Sequence, residues 1–226
     1  MAGGSGRNCS SSRESGGEIL NFLERKRAIG MLQTPTEVIG VTGRYSRRTG
    51  LDFRGAAPLA YLVGEAAAPE YEATTQAAFE RGSQVEFYAP TPTTGEWWHV
   101  VKVPVGDYLV LEARVATRDE LCLAARNHLA KALGSVAAPG LSDDEIVTWL
   151  RLQALAHCQP EESVSREQLL HEGGRSTRTI SRHLKSLQAV GALQLERGST
   201  GYWVRRKQVT LAAHPQPSLK RGLGAS

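Results

Sequence analysis

The chain has few of the residues and patterns that mark a disulfide scaffold, a zinc site or a membrane protein. Its three cysteines, Cys9, Cys122 and Cys158, are odd in number and widely spaced, which favours neither a disulfide framework nor a zinc site. Its apolar runs are interrupted well short of the roughly 20 residues needed to span a bilayer. The N-terminus also lacks the apolar core of a secretory signal. These absences predict a cytoplasmic protein without a membrane partner.

Patterns for catalysis are also missing from the chain. Its histidines show no HxxxH or HxH spacing, and the sequence places no Ser, His and Asp arrangement and no acid pair. The segment V-I-G-V-T-G-R over residues 38–44 has the glycines of a phosphate loop. It lacks the Lys followed by Ser or Thr that such a loop needs, so a turn is favoured. We therefore expect no enzymatic activity, no cofactor and no metal.

Positive charge is concentrated in the C-terminal part of the chain. Residues 1–140 carry 15 basic and 15 acidic side chains, whereas residues 141–226 carry 12 basic and 8 acidic ones. Within that part, residues 173–207 hold eight Lys or Arg and one acid, a local balance of +7 in a chain of net charge +4. A clustered basic field of this kind is typical of a protein that binds a polyanion.

The composition along the chain predicts two domains between two loose tails. Residues 1–16 contain almost nothing apolar, and residues 212–226 are rich in Pro and Gly, so both ends are expected to be disordered. A stretch of small residues around 134–140 separates two helical patterns and marks the boundary. The predicted units are a first domain over 17–135, a linker over 136–141 and a second domain over 142–211.

The first domain is predicted to be an antiparallel sheet with packed helices. The alternation of helical and strand patterns indicates this class, because runs of strands joined by short turns pair with their neighbours. The predicted elements are a helix over 18–32, a strand over 37–44, a basic turn over 44–50, a strand over 51–53, a helix over 71–81, a strand over 85–88, a hairpin over 97–103 and 108–115, and a helix over 118–133.

The second domain has the start signals of three helices followed by a hairpin. Ser142 with Glu145, and Ser165 with Gln168, have the spacing of capping boxes, and Ser176 is the expected cap of a third helix. Residues 192–196 and 201–205 then form two short β-rich runs around the polar tip 197–200.

The third helix has two different faces. Ile180, Leu184 and Leu187 recur at the spacing of one helical face, which should therefore be buried. The opposite face carries hydroxyl and basic side chains, which suit an anionic groove because Arg can hold a guanine edge or a phosphate with two hydrogen bonds. These residues are Thr177, Arg178, Ser181, Arg182 and Lys185.

The run S-T-R-T-I-S-R-H-L-K-S-L-Q-A-V-G-A-L, followed by L-E-R-G-S-T-G-Y-W-V, resembles a winged helix-turn-helix. The similarity extends over residues 142–207 and is to catabolite-activator-type regulators and to replication-protein winged helices. It implies that the N-terminal part of the third helix reads bases in the major groove of double-stranded DNA, with phosphate contacts beside it and at the wing. The implied DNA-binding residues are Ser176, Thr177, Arg178, Ser181, Arg182, Lys185, Arg197, Ser199, Thr200, Arg205, Arg206 and Lys207.

The element order of residues 18–134 and the segment V-V-K-V-P-V-G-D-Y-L-V-L-E-A-R-V-A-T-R-D-E-L-C-L-A-A-R-N-H-L-A resemble the Roadblock/dynein light chain family. This resemblance implies a non-catalytic dimerisation module that can partner a small Ras-like GTPase. A general α+β ligand-sensing domain is the alternative.

The sequence thus predicts an α+β protein with a Roadblock-like N-terminal domain and a C-terminal winged helix-turn-helix. The expected function is sequence-specific binding of double-stranded DNA by a homodimeric transcriptional regulator, because one winged helix alone has a small footprint. The alternatives are a protein-interaction module that partners a small GTPase, and a DNA replication or repair factor.

Overall fold

The computed structural model describes residues 9–65, 67–133, 140–158, 163–171, 176–197, 201–204 and 210–213. The helices are α1 (Cys9–Arg25), α2 (Gly43–Thr49), α3 (Leu59–Val63), α4 (Ala68–Arg81), α5 (Arg118–Leu133), α6 (Asp143–Cys158), α7 (Arg166–His171) and α8 (Thr177–Ala189). The strands are β1 (Ile29–Gln33), β2 (Glu37–Val41), β3 (Ala57–Pro58), β4 (Val85–Pro90), β5 (Trp97–Val105), β6 (Tyr108–Val115), β7 (Val164–Ser165), β8 (Leu195–Arg197), β9 (Gly201–Val204) and β10 (Leu211–Ala212).

The N-terminal region is built on a seven-stranded antiparallel sheet, which confirms the predicted α+β class. The strand order is β10-β4-β5-β6-β1-β2-β3, and every neighbouring pair is antiparallel. Its centre is the predicted hairpin, in which β5 and β6 pair from Trp98 opposite Val115 to Val105 opposite Tyr108. The predicted helices over 71–81 and 118–133 are also present, as α4 and α5.

The first predicted helix is wrong in its C-terminal part. The observed helix α1 ends at Arg25. Residues Ile29–Gln33 form β1, which pairs with β6 on one side and with β2 on the other. All five residues of β1 are buried. A strand buried on both faces has no alternation of polar and apolar residues. The apolar residues of β1 therefore look like a continuation of the apolar pattern of the preceding helix.

Two further predictions near residue 50 need correction. The basic turn over 44–50 is the helix α2, which begins after Thr42, whose hydroxyl accepts a hydrogen bond from the Tyr45 amide at 3.2 Å. Gly50 ends it in the left-handed conformation, with φ of 71°. Residues 51–53 form no strand, and β2 pairs with Ala57–Pro58 instead. The sequence of Gly43–Thr49 has no apolar periodicity, so the capping residue Thr42 is the feature that indicates a helix there.

Helix α1 packs on the sheet at the glycines of β1 and β2. A side-chain carbon at Gly40 would lie 2.8 Å from Leu20 Cδ2, so the absence of a side chain there allows the helix to approach. Leu23 of α1 is 1% exposed. The helix begins at Cys9, inside the segment 1–16 that the composition predicted to be disordered.

The C-terminal region holds three helices and the small sheet β7-β9-β8. Both predicted capping boxes form. The Ser142 amide donates to Glu145 Oε2 at 2.8 Å and the Glu145 amide donates to Ser142 Oγ at 3.3 Å. The Ser165 amide donates to Gln168 Oε1 at 2.7 Å and the Gln168 amide donates to Ser165 Oγ at 3.1 Å. These bonds fix where α6 and α7 begin.

The sheet separates two hydrophobic clusters, and the two adjacent tryptophans of β5 belong to one each. Trp98 packs with β1, β2 and helices α2–α4. Trp97 packs in a cluster that includes α5 and the three C-terminal helices. The Trp97 indole donates to the Leu150 carbonyl oxygen of α6 at 3.2 Å. The sheet and the C-terminal helices therefore share one core, although the sequence predicted a linker, mostly outside the described residues, between them.

The last described strand returns the chain to the large sheet. In β10, Leu211 lies opposite Tyr88 and Ala212 opposite Phe87 of β4. The amide and hydroxyl of Thr210 both donate to Glu70 Oε2 of α4, at 2.9 and 3.0 Å. Residues 210–213 thus pack with the N-terminal region, whereas the sequence placed them at the end of the second domain and in the following tail. A two-residue strand leaves no periodic signal in a sequence.

Candidate nucleic-acid interface

Helix α8 begins as predicted, at the Ser176 cap. The Ser176 hydroxyl accepts a hydrogen bond from the Thr179 amide at 3.3 Å, and the two hydroxyl oxygens of Ser176 and Thr179 lie 3.0 Å apart. Ser176 itself has extended backbone angles, φ −70° and ψ 152°. This geometry leaves the positive end of the helix dipole at the same end as Thr177 and Arg178.

The buried face of α8 holds the helix against α6. Ile180, Leu184 and Leu187 are at most 4% exposed, as the spacing predicted. His183 is buried with them, and its Nδ1 lies 2.8 Å from the Thr148 hydroxyl of α6. The apolar pattern alone does not predict His183 in this face, although His183 follows Ile180 by three residues and precedes Leu187 by four. These contacts fix the rotation of α8 and therefore which side chains point outward.

The opposite face of α8 brings the predicted basic side chains together. Arg178, Arg182 and Lys185 are exposed and Ser181 is half-buried. With Thr179 they line a surface groove of about 430 Å³. Residues at spacings of four and three lie on one side of a helix, so the three cations form one ridge, with Thr177 exposed at its N-terminal end.

This ridge has no carboxylate partner among the described residues. None of Arg178, Arg182 and Lys185 makes an ion pair with another residue in the part of the chain that the structure describes. Some arginines of the sheet region do have such partners, since Arg48 pairs with Glu96 and Arg114 with Glu120, each at 2.5 Å. No described carboxylate therefore engages the donors of these three cations.

Half of the predicted interface residues lie on this helix or at its cap, and the others lie at or beyond the hairpin. Arg197 is the last residue of β8. Ser199, Thr200, Arg205, Arg206 and Lys207 lie outside the described residues. At the start of β9, a side-chain carbon at Gly201 would collide with the Val164 carbonyl oxygen of β7. Glycine at this position therefore permits the close pairing that positions the hairpin beside the helices.

The described ranges contain no arrangement typical of a metal site or of a membrane-spanning helix. No group of three or more His, Cys, Asp or Glu there is arranged to hold a metal ion. No helix of the described residues is both long and apolar enough to cross a bilayer.

No protein-family model and no curated protein sequence matches the chain. Among solved structures, it is similar to a phage VqmA in complex with DPO, with 12% identity, a TM-score of 0.42 and coverage of 81% of this chain and 84% of that one. A Vibrio cholerae VqmA dimer in the absence of target DNA has 14% identity, a TM-score of 0.38 and coverage of 77% and 80%. VqmA bound to DPO has 16% identity, a TM-score of 0.39 and coverage of 88% and 99%. TM-scores at this level do not establish a common fold.

Proposed function

We propose that the chain binds double-stranded DNA through α8, as a winged helix-turn-helix, and that it regulates transcription. The observation that carries this proposal is the ridge of Arg178, Arg182 and Lys185, which is exposed and has no carboxylate partner among the described residues. A ridge of cations on a helix of this width suits the major groove, where an α-helix fits and arginine pairs with guanine.

The proposed roles differ along the helix. Thr177, Arg178, Ser181 and Arg182 occupy its first half, which in helix-turn-helix proteins meets the base edges. Lys185 lies farther along and is assigned to phosphate. Ser176 is assigned to phosphate at the helix N-terminus, where free amides and the dipole favour an anion.

The wing and the sheet region complete the proposal. Arg197, Ser199 and Thr200 at the hairpin tip, and Arg205, Arg206 and Lys207 after it, are assigned to the DNA backbone. The sheet region over 17–135 is assigned to dimerisation or ligand sensing, and a homodimer on paired half-sites extends the small footprint of one winged helix. No contact of the described residues favours the small-GTPase partner, which stays a prediction, as does a role in replication or repair.

The test compares how tightly α8 variants bind a duplex of the preferred sequence and a duplex of random sequence. Binding to a random duplex pool, followed by sequencing of the retained fraction, supplies the preferred sequence. Arg178→Ala or Arg182→Ala should then reduce the preference for that sequence by roughly 1–3 kcal/mol. Lys185→Ala should weaken binding to all sequences. It should also reduce the slope of the logarithm of the binding constant against the logarithm of the salt concentration by about the value of one phosphate contact. Arg54→Ala, which removes an arginine paired with Asp52 at 2.7 Å, is the control and should bind as wild type does.

Two outcomes contradict the proposal. Equal losses of affinity for both duplexes in all three α8 variants would contradict the assignment of Arg178 and Arg182 to bases and of Lys185 to phosphate. A binding constant that does not change with salt concentration would remove phosphate contacts altogether, and would favour a protein-interaction module.

A further inference from the structure

Two polar links join α6 to α8. The first connects Thr148 and His183, which are each 3% exposed, and their Oγ1 and Nδ1 atoms lie 2.8 Å apart. The Thr148 hydroxyl also donates to the Asp144 carbonyl oxygen, one turn earlier in α6, at 2.9 Å. A hydroxyl can both donate and accept, so the link to the imidazole holds in either neutral tautomer of His183.

The second link connects Glu145 and Ser186. The Ser186 side chain hydrogen-bonds to the Glu145 carboxylate, whose Oε2 also accepts from the Ser142 amide and hydroxyl at 2.8 Å each. Burial raises the pKa of Glu145, but the hydrogen bonds from Ser186 and Ser142 outweigh burial and lower it. Glu145 therefore serves both the start of α6 and the contact with α8.

The two links have the same spacing on both helices. On α6, Thr148 follows Glu145 by three residues, and on α8, Ser186 follows His183 by three. Residues three apart lie on one face of a helix, about one turn from each other. A single link would leave α8 free to rotate about it, whereas two links one turn apart oppose both a rotation and a slide of the helix.

The apolar side chains on the same face of α8 hold it with less directional preference. Ile180, Leu184 and Leu187 are buried, but hydrophobic contact is non-directional, whereas a hydrogen bond weakens steeply as its angle departs from linearity. Satisfied polar groups inside a core therefore help to select one arrangement of the helices. The arrangement matters on α8, because Arg182 of the basic ridge immediately precedes His183.

We propose that these two links position α8 for base recognition and so set the sequence specificity of DNA binding. This inference rests on the proposed function. Arginine reads a base edge through bidentate hydrogen bonds, whose geometry is lost when the helix shifts. Attraction to phosphates is electrostatic and independent of sequence, so it survives the same shift. Loss of a link should therefore lower the affinity for the preferred sequence more than the affinity for random DNA.

The test measures the affinities of full-length variants for a preferred duplex, selected from a random pool, and for a duplex of random sequence. Thr148→Val removes the hydroxyl that meets His183 and should reduce the ratio of the two affinities by roughly threefold to tenfold. Its affinity for the random duplex should stay within about twofold of that of wild type. Thr148→Ser keeps the hydroxyl and should restore most of the ratio. Ser186→Ala breaks the second link and should lower the ratio in the same way.

Thr49→Val is the matched control. Thr49 is a helical threonine, 4% exposed, whose hydroxyl donates to the Tyr45 carbonyl oxygen four residues earlier at 3.0 Å, as that of Thr148 does to Asp144. It lies in α2 of the sheet region, so its replacement should alter stability without altering the ratio of affinities. Thermal unfolding of each variant shows whether binding is measured on folded protein. If Thr148→Val does not fold, Ser186→Ala, at a half-buried position, decides.

Three results would overturn the inference. If the affinities of Thr148→Val for both duplexes fall by the same factor, the link has a structural role only. An unchanged ratio in Thr148→Val or in Ser186→Ala would mean that apolar packing is sufficient to position α8 at that link. A ratio in Thr148→Ser as low as in Thr148→Val would assign the effect to packing and not to the hydroxyl. A wild-type chain without preference for any sequence contradicts the proposed function itself, which distinguishes that failure from these three.

Discussion

The sheet region and helix α8 differ in how many of their basic side chains pair with carboxylates. In the sheet region, five arginines including Arg48 and Arg114 pair with carboxylates, and the hydrogen bonds from Arg114 lower the pKa of Glu120 to about 2. On α8, three cations of one face have no such partner within the described ranges. Both regions are rigidly capped and share a core, so the difference does not come from disorder. The exposed cations of α8 are the observation on which the proposed DNA binding rests.

The largest effect is expected where the two regions meet. Trp97→Ala removes a side chain that is 7% exposed and whose indole bonds to Leu150 of α6. We expect it to lower the free energy of unfolding by roughly 3–5 kcal/mol, as for other buried tryptophans. Urea denaturation measures this, with Trp203→Ala, at a position 42% exposed, as the matched control. A loss no larger than that of the control would show that the two regions fold independently.

The next effect separates the regions by pH. Burial lowers the pKa of Lys102, which lies inside the sheet region, to about 7, whereas lysine in an unfolded chain titrates near ~10.4. Between these values the unfolded chain binds more protons, so the free energy of unfolding should rise with pH. The free energy of unfolding of wild type should rise by up to about 1.4 kcal/mol per pH unit relative to that of Lys102→Met. Urea denaturation at a series of pH values from neutrality upward measures this difference, and parallel curves for the two proteins would contradict it.

A smaller effect concerns the strand that closes the chain. Thr210→Val removes the hydroxyl bond to Glu70 and should make local opening of β10 easier by about 1–2 kcal/mol, because the acceptor is a carboxylate. Hydrogen exchange at the Leu211 and Ala212 amides reports that opening. Thr36→Val, at an exposed threonine of the β1–β2 turn, is the control. Unchanged protection in Thr210→Val would mean that strand pairing alone holds β10.

The smallest effect lies within the helical region. Ser142→Ala removes one half of the capping box of α6 and should cost about 1 kcal/mol. The loss should be the same at all pH values at which Glu145 is ionised. Thermal unfolding measures it, and a loss within the error of the experiment would show that the core contacts of α6 alone fix its start.

The sequence predicted those elements whose signals are local. The caps at Ser142, Ser165 and Ser176 and the hairpin of β5 and β6 follow from residues only a few positions apart, and so does the two-faced pattern of α8. The exposed basic face of α8 could be predicted for the same reason, and its role in DNA binding stays a prediction.

Elements that depend on distant partners were not predicted. The strand β1 is defined by its neighbours β6 and β2, and it has no alternation of its own. The burial of Lys102 depends on how α4 lies over the sheet, because its ammonium group donates to Tyr71 and Thr75 of that helix. One signal for Lys102 was present, since a single lysine interrupts the valine-rich strand W-W-H-V-V-K-V-P-V.

The return of β10 to β4 has a mechanical consequence. Because the chain leaves the large sheet after α5 and rejoins it at Leu211, the helical region is topologically an insertion into the sheet region. The covalent link from Val204 to Thr210 reaches at most roughly 20 Å when fully extended. With both ends anchored on one body, the helices cannot move far from the sheet unless β10 first separates from β4.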